Sequence, residues 1–135
     1  MIFFVLFCVF VSTLAQNAND KLQRCCFTDP AIDQGCAQKY CNFGQISQQS
    51  VLPFIAECGI RGNTISRMWD CISSRHDHSD CCINQGVSPL CRAFCDARGS
   101  VPTNLLVYGG CAQEFEKYRL CFRTYLKHNP PIRGG

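Results

Sequence analysis

The sequence predicts a mainly α, small disulfide-rich domain built from two tandem six-cysteine helical repeats. Three observations predict it. First, the twelve cysteines after residue 20 form two sets in the same order: Cys25, Cys26, Cys36, Cys41, Cys58, Cys71, then Cys81, Cys82, Cys91, Cys95, Cys111, Cys121. As gaps these read CC-x9-C-x4-C-x16-C-x12-C and CC-x8-C-x3-C-x15-C-x9-C, each spacing agreeing within three residues. Second, several segments between them place apolar residues at three- and four-residue steps, the mark of one helix face. Third, no segment of useful length alternates polar and apolar residues, so nothing reads as a half-buried strand.

Residues 1–15, MIFFVLFCVFVSTLA, read as a secretory signal peptide. The apolar run is shorter than the roughly 20 residues a membrane-spanning helix needs. Thr13 and Ala15 are the small residues a signal peptidase accepts. Cleavage after Ala15 removes Cys8 and turns 13 cysteines into 12. An even number of thiols suits a closed disulfide framework in an oxidising compartment. The expected product is secreted and extracellular, with no membrane span in the mature chain.

Residues 16–24 are polar and read as a loose leader. Repeat one occupies residues 25–71 and repeat two residues 81–121, joined by the short polar connector ISSRHDHSD, which leaves little slack between them. In order, a helix is expected over about 47–58, with Val51, Leu52, Ile55 and Cys58 on one face. Pro53 is easier to accept if that helix begins near residue 52, because a mid-helix proline lacks a donor and clashes with the preceding turn. A helix over 63–71 follows, with Asn63 as N-cap and Ile65, Met68, Trp69 and Ile72 turned inward. Cys91-x-x-x-Cys95 fits a helical face; Cys36-x-x-x-x-Cys41 fits it less well. The clearest helix spans 111–126 and runs on to about 127, with Cys111, Phe115, Tyr118, Cys121, Phe122, Tyr125 and Leu126 on one side. His128-Asn129-Pro130-Pro131 ends it, and residues 128–135 are expected to be a disordered tail. Six cysteines allow about 15 pairings per half. Mostly intra-repeat bridges are expected, with the adjacent cysteines reaching different partners.

The formal net charge of +3 is mild and argues against a dedicated nucleic-acid binder. Arg119, Arg123 and Lys127 form a basic ridge on the last helix and are the candidate interaction surface. Cations near a helix C-terminus are also favoured by the macrodipole. His76-Asp77-His78-Ser79-Asp80 spells H-x-H-x-D and resembles the zinc-ligand run of metallo-β-lactamase-like hydrolases in those five residues only. It gives an alternative reading as a metal-dependent hydrolase using His76, His78 and Asp80. His76-Asp77 near Cys81-Cys82, with the turn Tyr108-Gly109-Gly110-Cys111, resembles secreted phospholipase A2, but with the order of elements reversed. No activated nucleophile is present, and the reading carries no catalytic residue, cofactor or metal.

The order of all twelve cysteines, with Asp77-His78-Ser79-Asp80-Cys81-Cys82, resembles the D-H-T-x-C-C signature of the DB module of nematode secreted proteins, Ser standing for Thr. Gly86-Val87 and Cys91-x3-Cys95 continue the likeness, which covers about 25–121. The resemblance implies six disulfides, an extracellular location and a module, without established catalytic residues, that is found alone or alongside immunoglobulin and fibronectin type III domains; with no Ig-like stretch in this sequence, a stand-alone module is expected. It also implies that His78 is structural, with Asp77 or Asp80 capping the next helix. The expected function is a secreted, non-catalytic protein–protein interaction module whose partner is an unknown extracellular or cell-surface protein. A structural matrix component is the other alternative.

Overall fold

The computed structural model of the protein describes residues 17–135; the signal expected at 1–15 lies outside the described residues. Seven α-helices follow in order: α1 Ala18–Phe27, α2 Gln34–Tyr40, α3 Val51–Cys58, α4 Thr64–Ser73, α5 Ser79–Asn84, α6 Leu105–Tyr108 and α7 Phe115–His128. Short 3-10 helices occupy Leu90–Phe94 and Gly109–Glu114. Among the described residues there is no strand, only an isolated antiparallel bridge between Asp77 and Asp96. The mainly α, disulfide-rich class read from the sequence is the observed one.

α1 corrects the expected loose leader over 16–24. Asn17 caps it by accepting the Asp20 N–H at 2.9 Å. Ala18, Leu22, Cys25 and Cys26 are buried along one face, at steps of four, three and one. Helical periodicity was therefore present, but its apolar content is carried mostly by cysteines. Lys21 fixes the helix further: its Nζ donates to the carbonyls of Leu126, Lys127 and Asn129 at 2.9, 3.1 and 3.1 Å. These are orphan acceptors at the end of α7, where a cation is favoured.

The Asp33 carboxylate caps α2 by accepting the Cys36 N–H at 2.9 Å. α3 starts at Val51, which puts Pro53 in the first turn, where the missing N–H has no intrahelical acceptor to lose. In α4, Met68, Trp69 and Ile72 are buried as expected, with Ile65 at the core edge. Asn63 stands at the N-cap position but its side chain makes no cap hydrogen bond. The helix expected from Cys111 starts instead at Phe115, preceded by the 3-10 turn. Gly109-Gly110 at its head are weak helix formers, each about 1 kcal/mol worse than alanine.

The disulfides are Cys25–Cys71, Cys26–Cys41, Cys36–Cys58, Cys81–Cys121, Cys82–Cys95 and Cys91–Cys111. Every bridge stays within its own six-cysteine set. Both sets use one scheme, first to sixth, second to fourth, third to fifth. In the first half this ties α1 to α4 and to the end of α2, and α2 to α3. In the second it ties α5 to α7 and to the end of the Leu90–Phe94 turn.

α7 joins the halves. Phe122 is fully buried and meets Trp69 of α4 edge-on, with ring centroids 5.3 Å apart. Trp69 also meets Phe94 at 6.1 Å. On another side, Glu116 accepts the Gln48 N–H at 2.9 Å and Arg119 donates to the Phe43 carbonyl at 2.6 Å. The two side chains thereby satisfy backbone groups in a first-half loop whose Phe43 and Ile46 are buried.

The tail expected to be disordered over 128–135 instead tracks α1. Asn129 caps α7 by donating to the Tyr125 carbonyl at 2.8 Å. Arg133 reaches the buried Asp29 carboxylate at 3.3 Å, and Arg67 binds the same oxygen at 2.7 Å. Gly134, at φ 71°, lies so close to the Arg24 carbonyl that an added Cβ would stand 2.6 Å from its oxygen. The physical reason is Asp29: a carboxylate 1% exposed needs its charge paired. Burial alone would raise its pKa, but the Arg67 hydrogen bond, the Ala31 N–H and the Arg133 charge together hold it below the ordinary value.

Ser74 and Arg75, just after α4, both sit in the left-handed region at φ 59° and 49°. Each non-glycine residue there costs roughly 1–2 kcal/mol. The Ser74 hydroxyl is also buried without a partner among the described residues. Ser74→Gly removes both penalties against an added glycine chain entropy of roughly 0.5–1 kcal/mol. The variant is therefore expected to be more stable by about 1 kcal/mol, measured by urea unfolding with the bridges intact.

Candidate functional site

Three groups of side chains are candidates: the connector histidines, the basic ridge of α7, and an apolar recess between the two halves. They were reached from the sequence to different degrees.

The connector is a structural joint. Its backbone pairs with the 95–97 segment: the His78 N–H donates to the Cys95 carbonyl at 2.8 Å and the Ala97 N–H to the His76 carbonyl at 3.0 Å. This turns His78 inward, where it is 4% exposed. Its ring lies 4.8 Å from Phe122 and 5.3 Å from Tyr125. His76, at the surface, stacks on Tyr125 with centroids 4.0 Å apart.

His78 Nε2 lies 2.7 Å from the Ser73 carbonyl. A carbonyl only accepts, so that nitrogen carries the proton and is not a metal ligand. Asp80 is exposed on the first turn of α5. Asp77 instead turns to the helix start, its Oδ1 accepting the Ser79 N–H at 3.0 Å. Its pKa is lowered, first by the Ser79 hydroxyl and then by that N–H. Asp96 is held down to about 2 by its hydrogen bond from Arg98. Among the described residues no group of three His, Cys, Asp or Glu side chains is placed to hold a metal ion. The alternative built on His76, His78 and Asp80 therefore finds no converging geometry here. Nor does Tyr108-Gly109-Gly110-Cys111 form an open loop: it passes from α6 into a 3-10 helix.

The ridge on α7 is shorter than the sequence suggested. Arg119 is withdrawn from it, bonded to the Phe43 carbonyl and paired with Glu116. Arg133, beyond the end of α7, is held at Asp29. Arg123 and Lys127 remain exposed, with Leu120 and Thr124 beside them. These positions, at i, i+3, i+4 and i+7, form one outward stripe of the helix.

The recess was not anticipated. It has a volume of about 250 Å³ and opens between α3 and α4 of the first half and the 101–112 segment and α7 of the second. Among the described residues, no charged residue lines it. Its aromatic wall includes Trp69, Phe94, Phe115 and Tyr118. The sequence marked Trp69, Phe115 and Tyr118 only as inward-facing, since helical spacing separates core from surface but does not say where a core is left unfilled.

Fold and cysteine frame together define a small helical module held by six disulfides. The model of the DB module family matches residues 25–122, and the chain belongs to that family. No curated protein and no solved structure matches it.

Two expected outcomes follow from this geometry. Arg119→Ala is expected to cost about 1–2 kcal/mol of stability, as loss of a charged hydrogen bond to a carbonyl, whereas Arg123→Ala stays within about 0.5 kcal/mol; chemical denaturation of both variants checks the contrast. The pKa of His78 is lowered by burial, partly opposed by the Ser73 hydrogen bond and assisted by His76. A histidine with a depressed folded pKa contributes stability that is complete above its unfolded value, near 6.5, and is lost as pH falls through the folded value. Melting temperature is therefore expected to fall below about pH 6.5, before carboxylates titrate. Relative to wild type, His78→Gln is expected to flatten that slope.

Proposed function

We propose that the chain is a secreted, non-catalytic binding module that engages an acidic extracellular or cell-surface protein through the outer stripe of α7. The observation that carries this reading is the presentation of Arg123 and Lys127, exposed beside Leu120 and Thr124 on the longest helix among the described residues. Cys121 bridges that helix to α5, its inner face is packed on buried aromatics, and Lys21 holds its C-terminal carbonyls. A rigid helix loses little conformational entropy on binding, which favours affinity at a small interface.

Two cations around a partly exposed leucine suit an acidic patch with an apolar centre. Such rim charges act mainly on association rate and specificity. The six disulfides and the DB-module membership support an extracellular setting, where such bridges persist.

The test is a screen of the mature oxidised protein, clustered for avidity, against extracellular and cell-surface proteins. Linked copies gain 100-fold or more, on the order of the usual multivalent enhancement. A hit is expected whose affinity falls about tenfold or more in Arg123→Glu/Lys127→Glu and weakens with added salt. A hit indifferent to both changes would move the surface away from α7. A silent screen with folded, thiol-free protein would overturn the reading.

A further inference from the structure

The seat of the C-terminal tail is built as a recognition site is built. Its floor is Asp29, 1% exposed. One carboxylate oxygen accepts the Ala31 N–H at 3.0 Å. The other meets Arg67 Nε at 2.7 Å and Arg133 Nη2 at 3.3 Å. Arg133 Nη2 also donates to the Arg67 carbonyl at 3.4 Å and lies 3.4 Å from Cys71 Sγ. Gly134 then passes against the last turn of α1. A Cβ there would stand 2.6 Å from the Arg24 carbonyl oxygen and 3.0 Å from Thr28 Oγ1. Its φ of 71° is one that glycine adopts freely and other residues rarely do. A buried carboxylate beside a carbonyl selects a guanidinium, and the close approach that follows selects glycine. The seat therefore reads two successive residues, arginine and glycine.

The chain's own segment fits that seat incompletely. Arg133 Nε is buried without a hydrogen-bond partner among the described residues, a donor that has left water for nothing in return. Beyond Pro131, Arg133 makes the only polar contacts of the tail among the described residues. Ile132, Gly134 and Gly135 are exposed, and no cysteine follows Cys121 to bridge the segment down. A stretch held by one side chain and one close contact opens locally at low cost. We propose that this seat recognises an Arg-Gly segment of a partner protein, and that Arg133-Gly134 fills it in the free protein as a displaceable occupant. The tail competes through its covalent connection, which gives a short linker an effective concentration on the order of millimolar. An incoming segment overcomes it by supplying what the tail lacks, an acceptor for the arginine Nε or further contacts past the glycine. Lysine is a poor substitute, because its ammonium lacks the planar fork that meets carboxylate and carbonyl together.

The test uses the full oxidised mature chain and a labelled, end-capped peptide of the tail's own sequence, PPIRGG. In Arg133→Gln/Gly134→Ala the guanidinium is gone and the added Cβ meets the Arg24 carbonyl. The tail then leaves its seat while Asp29 keeps Arg67. This variant is expected to bind the peptide saturably at one site, read by fluorescence anisotropy and by calorimetry. Its affinity is expected to be about tenfold or more above that of wild type, whose own tail competes. Lysine in place of the peptide's arginine is expected to weaken binding about tenfold, and alanine in place of its first glycine about as much. Gly134→Ala alone, the milder change, is expected to fall between wild type and the double variant. Circular dichroism and a thiol count establish that each variant is folded and bridged.

Absence of saturable peptide binding to both folded variants would overturn the proposal. So would equal peptide affinity in wild type and the double variant, or lysine or alanine peptides that bind as tightly as the parent. A wild-type dimer that forms with rising concentration and is lost in the double variant would give the seat to the tail of a second copy, and would overturn a separate partner. None of these outcomes depends on Arg123 or Lys127, so the two proposals fail separately.

Discussion

Two adjacent cysteines on a helix point about 100° apart, so their sulfurs reach different elements. That constraint organises each half of the protein. Cys25 and Cys26 send α1 to α4 and to the end of α2. Cys81 and Cys82 send α5 to α7 and to the end of the Leu90–Phe94 turn. A short helix held on two sides has little freedom left, and the third bridge of each set closes the loop between them. In the chain-entropy account, loops of this size contribute about 3–4 kcal/mol each, without simple additivity. That suffices to hold the bridged helices, which run from six to fourteen residues and are marginal alone.

The bridges organise each half but do not cross between them. The halves are joined by packing and hydrogen bonds, and α7 supplies most of both. Phe122 meets Trp69 and His78, Glu116 and Arg119 hold a loop of the first half, and its C-terminal carbonyls accept from Lys21. The connector histidines are part of this joint. The same seam is filled with aromatics on one side and left open on the other, and the open side is the recess lined by Trp69 and Tyr118.

Much of the fold was legible because local periodicity wrote it. The inward faces of α4 and α7 were set by Met68, Trp69, Ile72, Phe115 and Phe122, and the position of Pro53 correctly favoured a late start for α3. The leader helix carried a readable pattern too, in Asn17 and the spacing of Ala18, Leu22 and Cys25, but cysteines stood where leucines would have advertised it. What was not legible depends on contacts distant in sequence. Arg119 lies on the polar side of α7, and only the loop carbonyl of Phe43 makes it structural. Arg133 looks like a solvent-facing tail residue until Asp29 is buried 104 positions away. For the same reason the sequence counted Tyr118 as core without revealing its unpaired hydroxyl.

The docking of the tail along α1 brings both ends of the described chain to one edge of the protein: Lys21 beside Asn129, and Arg24 beside Gly134. Gly134 lies against Arg24, about 10 Å along α1 from Asn17, so such a module adds little to the length of a chain that carries it. It also means that a short peptide joining the two ends would close the backbone into a ring with little distortion, a route to a protease-resistant form that leaves every disulfide in place.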